Sequence, residues 1–316
     1  MSARLKRIAG LAIALGFFAV VAWLLGDELR ALDPREIQAV LRELSPARLA
    51  IALGLTALCY AVLASYDRLA SRLLRVRLPR ARAYAIAFVS YAFNFNLGAT
   101  VGAVGFRYRL YSRANVGTAR IGAILACSIA TNWCGCLAVL GALLVADPSA
   151  LDFGWGLPAV AGRALGFAAL LPVAGYLAAA WLRRAPIRIR GTEHPMPGPR
   201  FALAQIALGS AYWLLVPLIV YLLRPPGTAI GYSQIAVAYG IAAVGGIIVR
   251  VPAGLGVVEA VFLEIFRGRV GGGTVLGMLI AWRALFLLAP LAIAAIVLVV
   301  LESRDVARVR VASVRR

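Results

Sequence analysis

Six stretches of this chain are apolar for long enough to cross a hydrocarbon layer, and that feature dictates most of what it can be. The runs are 8–25, 48–65, 119–146, 159–182, 201–223 and 274–301. At 1.5 Å per residue, about 20 helical residues span a core of about 30 Å. No water reaches the backbone there, so the amides and carbonyls must pair within each segment, and a helix does so. The composition agrees: 62% of residues are hydrophobic and 15% charged, against about 45–50% and about 25% in soluble domains. An ordinary water-soluble enzyme is excluded. The first run follows Met-Ser-Ala-Arg-Leu-Lys-Arg. It exceeds a signal-peptide core and no small-residue cleavage site closes it, so we expect a retained span.

The net charge is +20, and of the 33 basic residues only Lys6 is a lysine. The arginines gather in short segments between apolar runs, as cytoplasmic loops of a membrane protein do, so no nucleic-acid partner is expected. Without lysine in the membrane body there is no Walker-type loop, Ser-Lys dyad or Schiff base. Cys59, Cys127, Cys134 and Cys136 all lie in apolar runs, and His194 is the single histidine. No metal site, no cofactor and no catalytic set follows, and an enzyme is not expected.

Two further apolar stretches are irregular. Residues 83–106 carry Asn94, Asn96, Gly98, Gly102 and Gly105, and residues 234–266 carry Gly245, Gly246, Arg250, Pro252, Gly254, Gly256 and Glu259. Glycine and proline at this density weaken a helix, and broken backbone at membrane depth survives only inside protein or beside a wet cavity. Charge asymmetry discriminates between the two courses open to them. If each crosses once, Lys and Arg divide 15 inside to 15 outside; if each is re-entrant, the division is 23 to 7. Basic residues favour the cytoplasm. We therefore expect an all-α polytopic integral membrane protein with about eight membrane-embedded segments: six full spans plus two broken or re-entrant hairpins, both termini cytoplasmic. Residues 26–47 read as an external amphipathic segment and 183–200 as a cytoplasmic loop. No linker joins a second domain, so 1–316 reads as one domain.

Charge inside the membrane is the functional signal. Arg250, Glu259 and Arg283 would each cost roughly 2.5–3.5 kcal/mol facing lipid, so they must pair or line a hydrated cavity. Two arginines to one glutamate leave positive charge over. Pro252 suits a helix start, Gly254 and Gly256 allow close backbone approach, and a half-helix beginning there would aim unpaired amides at an anion. Packing alone would explain the same kink. Asn94 and Asn96 can cap broken backbone or bind headgroup oxygens, and Gly98 and Gly102 fit close helix contact. Arg107, nearest these glycines, stands apart from the topology-setting charges Arg109 and Arg113. Arg68, Arg72 and Arg75 share a helical face that suits an interfacial helix on anionic lipid.

These residues resemble a known family. Ser90-Tyr-Ala-Phe-Asn94-Phe-Asn96-Leu-Gly98, with Gly102 and Phe106-Arg-Tyr-Arg-Leu-Tyr-Ser-Arg113, is similar to the first motif of the flippase-like transmembrane family. Pro252-Ala-Gly-Leu-Gly-Val-Val-Glu259 and Trp282-Arg283 with Pro290 resemble its second. That family includes YbhN-type bacterial inner-membrane proteins and the membrane portion of lysylphosphatidylglycerol synthase. The resemblance implies translocation of a phospholipid or lipid-linked substrate, with Asn94, Asn96, Arg107, Arg250, Glu259 and Arg283 at matching positions. This chain departs from the common pattern at Ala99-Thr100, Phe106 and Ala253. It ends at Arg316 without an aminoacyl-transferase domain, so lysyl transfer from tRNA is not expected.

The reading is an inner-membrane translocase that binds an anionic headgroup in a cationic cavity, its partners being membrane phospholipids. A small-solute or ion transporter, or a non-transporting partner of a phospholipid-synthesis enzyme, is the alternative.

Overall fold

A computed structural model describes residues 34–153, 156–182, 187–189, 192–194, 197–249 and 254–314. The apolar run 8–25, with Arg250 and Pro252, lies outside the described residues.

Helix α1 (Pro34–Glu43) lies within the amphipathic segment expected from the sequence, and it turns Val40 inward. α2 (Pro46–Leu73) starts with Ser45 as cap, its side chain accepting from the Arg48 amide, and with proline at the first helical position. Both are standard start signals. α3 (Arg80–Leu97), a π-helical stretch (Ala99–Phe106) and α4 (Arg107–Arg113) follow, then α5 (Thr118–Ala146) and α6 (Ala159–Leu182). A two-stranded ribbon, β1 (Ile187–Ile189) against β2 (Thr192–His194), occupies the loop before α7 (Pro199–Leu223). The sequence alone reads there as a loop. α8 (Tyr232–Val249), α9 (Val257–Ile265) and α10 (Gly272–Arg283) lead through a second π-helical stretch (Ala284–Leu288) into α11 (Ala289–Val314).

Six helices among the described residues are long and apolar enough to cross a membrane: α2, α5, α6, α7, α8 and the run Gly272–Ser303. Five coincide with expected spans. The sixth, α8, is the opening limb of the second broken stretch and, at 18 residues, the shortest of the six. Glycine there did not shorten the helix, because Gly245 and Gly246 sit where the chain folds back. A Cβ on Gly245 would lie 3.2 Å from Val257, and one on Gly246 would lie 3.8 Å from the Gly254 Cα.

The helices are locked by glycines where backbones touch. A Cβ added to Gly135 of α5 would sit 2.0 Å from the Gly209 carbonyl carbon of α7. Gly141 of α5 and Gly166 of α6 meet in the same way, each Cβ falling within 2.9 Å of the other's oxygen. Van der Waals contact drives helix association in lipid, and small residues permit the closest approach. Around these crossings runs an aromatic core of Tyr60, Phe95, Tyr212, Trp213, Tyr239, Trp282 and Phe286.

Pro290 shapes this core. Lacking an N–H, it cannot donate to the Phe286 carbonyl four residues earlier. The Tyr60 hydroxyl donates to that carbonyl at 3.1 Å.

Candidate functional site

The first broken stretch is a hairpin whose tip is Gly98, at φ +83°, a backbone region that suits glycine. The return limb lies so close that a Cβ on Gly102 would stand 2.1 Å from the Asn94 Cα. Eight residues of straight helix would separate those positions by about 12 Å. Gly102→Ala should therefore pry the limbs apart, and we expect a loss of about 1–3 kcal/mol, read as a lower thermal midpoint of detergent-solubilised protein. Asn96 ties the tip to the last membrane segment: its side-chain amide donates to the carbonyls of Ala92 at 2.8 Å and Leu287 at 3.3 Å. Asn94 contributes its carbonyl to the turn, accepting from the Gly98 amide at 2.9 Å.

The second broken stretch reaches the same segment four residues earlier. Arg283, the last residue of α10, makes a two-point fork with Glu259 of α9. Nε donates to Oε1, and Nη2 donates to Oε2 at 2.9 Å. Nη2 also reaches the Gly254 carbonyl at 3.3 Å. Fork-to-fork pairing is the strongest arrangement open to these groups. Gly256 caps α9 at φ +78°, and Glu259, three residues on, reaches back to accept from the Gly256 amide at 2.9 Å. The half-helix start expected to hold an external anion thus holds one of the protein's own carboxylates. The pair is incompletely covered: the side chains are 12% and 22% exposed. Beside it the Trp282 indole N–H is buried with no partner among the described residues. The two hairpins therefore converge on residues 282–287.

Arg107 lies elsewhere and does different work. It is 1% exposed, and its Nε and Nη2 donate to the two oxygens of Asp67, each at 3.0 Å. Tyr111 and Ser128 donate to the same carboxylate at 3.1 and 2.8 Å. Nη1 bonds the Ala103 carbonyl at 3.2 Å, and the guanidinium lies 4.4 Å from the Tyr91 ring centre. A cation so enclosed does not meet a headgroup. The reason is Asp67, which lies inside α2 beside Arg68 and which the sequence alone does not single out. Its one signal is that it is the single acid between Glu43 and Asp147.

Known proteins resolve the identity of this arrangement. The family described as lysylphosphatidylglycerol synthase TM region matches residues 7–301. The chain belongs to that family. It is 33% identical over 290 residues to the inner membrane protein YbhN of Escherichia coli, covering 91% of each chain. It is 31% identical over 289 residues to the uncharacterized protein slr0712 of Synechocystis, covering 91% of this chain and 90% of the relative. The family assignment and the apolar helices together make it a multi-pass membrane protein.

Proposed function

We propose that the protein moves an anionic phospholipid or lipid-linked substrate between leaflets of the bacterial inner membrane and performs no covalent chemistry. The inner-membrane setting is supported by the E. coli relative's name, and a lipid role by the family's. In this reading the two hairpins are re-entrant and the termini cytoplasmic, as the charge asymmetry favours.

The observation that carries the proposal is the Arg283–Glu259 pair at the meeting point of both hairpins, still partly open to its surroundings. Unlike Arg107–Asp67, which is sealed, this pair keeps part of its surface. Here a phosphate could take the carboxylate's place on Arg283 and on the Gly256 amide, and Glu259 would return when it leaves. Exchange of one anion for another avoids exposing a bare guanidinium at hydrocarbon depth, which would cost several kcal/mol. Gly254, Gly256, Gly98 and Gly102 supply the close backbone geometry, while Asn94 and Asn96 hold the opposing tip. Arg250 and Pro252 adjoin this site in sequence and remain candidates for it.

The test is leaflet exchange of a fluorescent phosphatidylglycerol in proteoliposomes. Arg283→Ala and Glu259→Gln should each slow it at least tenfold, the first by removing the phosphate partner and the second by removing the returning anion. Rates equal to the parent protein's, in variants that still elute as folded protein, would refute the assignment.

A further inference from the structure

A groove lies apart from the Arg283–Glu259 pair. Set between α2, α3 and α11, it measures about 450 Å³ and is lined by Leu53, Ala57, Ala61, Phe88, Leu285 and Ile293 among others. Its only polar side chains are Thr56, Tyr60 and Tyr84. The Tyr60 hydroxyl is engaged by the Phe286 carbonyl and that of Tyr84 by Ser65, 3.2 Å away. Thr56 is 97% buried with its hydroxyl unpartnered among the described residues. Protein interiors rarely leave voids larger than a water molecule. Among the described residues this one is open sideways, past the half-exposed Leu53 and Ile293.

Length and charge identify an occupant. From Leu53 to Ala64 the groove follows eleven residues of α2, about 17 Å, close to the depth of one leaflet, half of about 30 Å. At the Ala64–Tyr84 end both helices turn basic. Arg68 follows Ala64 by four residues and Arg80 precedes Tyr84 by four, so each lies one turn beyond the groove on the same helical face. Arg72, Arg75 and Arg77 continue the basic run, and Ser65 and Tyr84 set hydroxyls at the boundary. Apolar wall below and guanidinium above match the two halves of an anionic phospholipid.

We infer that this groove is an acyl-chain slot, holding one fatty-acyl chain of an anionic phospholipid whose phosphate rests at Arg68 and Arg80. The site is separate from the Arg283–Glu259 pair, and a lipid can be held here without being moved.

The full chain is reconstituted in vesicles with phosphatidylglycerol carrying a photoactivatable diazirine near its acyl end, or with phosphatidylcholine bearing the same chain. Labelling by the phosphatidylglycerol probe should map to α2, α3 and α11 and fall at least fivefold in Ala61→Trp, which fills the groove, and in Ala57→Phe. Arg68→Gln with Arg80→Gln should erase the preference for phosphatidylglycerol over phosphatidylcholine. Thr56→Val should leave labelling unchanged or raise it, because an acyl chain has no bond to give the hydroxyl. Glu259→Gln should label as the parent does even where leaflet exchange fails, which separates this site from the transport reading. Labelling that maps elsewhere, full labelling in folded Ala61→Trp, or loss of labelling in Thr56→Val (the mark of a polar occupant) would overturn the slot.

Discussion

Asp67→Ala should cost the folded protein about 3–5 kcal/mol, a fall in thermal midpoint on the order of 10 °C for a chain this long. The carboxylate is fully buried and accepts four hydrogen bonds, two from Arg107 and one each from Tyr111 and Ser128. Removing it strands a guanidinium that is 1% exposed. Attraction between the charges is not the main loss; the uncompensated cation is. Asp67→Leu combined with Arg107→Met should therefore recover most of the stability, since apolar side chains can fill such a site without desolvation cost. The measurement is a double-mutant cycle on the thermal unfolding of the purified protein. A single variant as stable as the parent would show that Arg107 finds another partner.

Gly209→Ala should be nearly as damaging for an unrelated reason. The new methyl would lie 2.3 Å from the Thr131 carbonyl oxygen, and Gly135→Ala would place one 2.0 Å from the Gly209 carbonyl carbon. Overpacking costs about 1–3 kcal/mol where side chains can shift. Here the obstacles are backbone atoms of α5 and α7, so the upper end is expected. The same chemical change at Gly54 of α2 or Gly175 of α6 meets nothing within 4 Å among the described residues. There the helix gains rather than loses, by about 0.5–1 kcal/mol. Thermal midpoints of the four variants should split by sign. Uniform behaviour would mean that helix propensity, and not the close crossing, governs these positions.

The two buried ion pairs show why burial has to be read with pairing. Both join Arg to a carboxylate through two contacts, yet one is enclosed by Tyr91, Tyr111 and Ser128 and the other keeps 12–22% of its surface. Stability follows from the first, since its members have nowhere else to go. The second stays partly exposed, which is what makes it the better candidate for the exchange proposed above.

Local pattern alone determined the helical class, five of the six long apolar helices, the amphipathic helix near residue 40 and the two breaks at Gly98 and Gly254–Gly256. Each rests on hydropathy, proline and glycine, all of which act over a few residues. That Arg283 and Glu259 had to be paired or hydrated was legible too, because charge in an apolar run is costly whatever surrounds it. The tertiary structure decided which charges meet. Asp67 and Arg107 are 40 positions apart, as Glu259 and Arg283 are 24 apart, and no periodicity encodes that two distant turns will share one depth. It also decided which cation is sealed and which stays open. Accessibility is a property of packed neighbours, set by the glycine crossings and hairpin returns, and a single helix read by itself has no such neighbours to show.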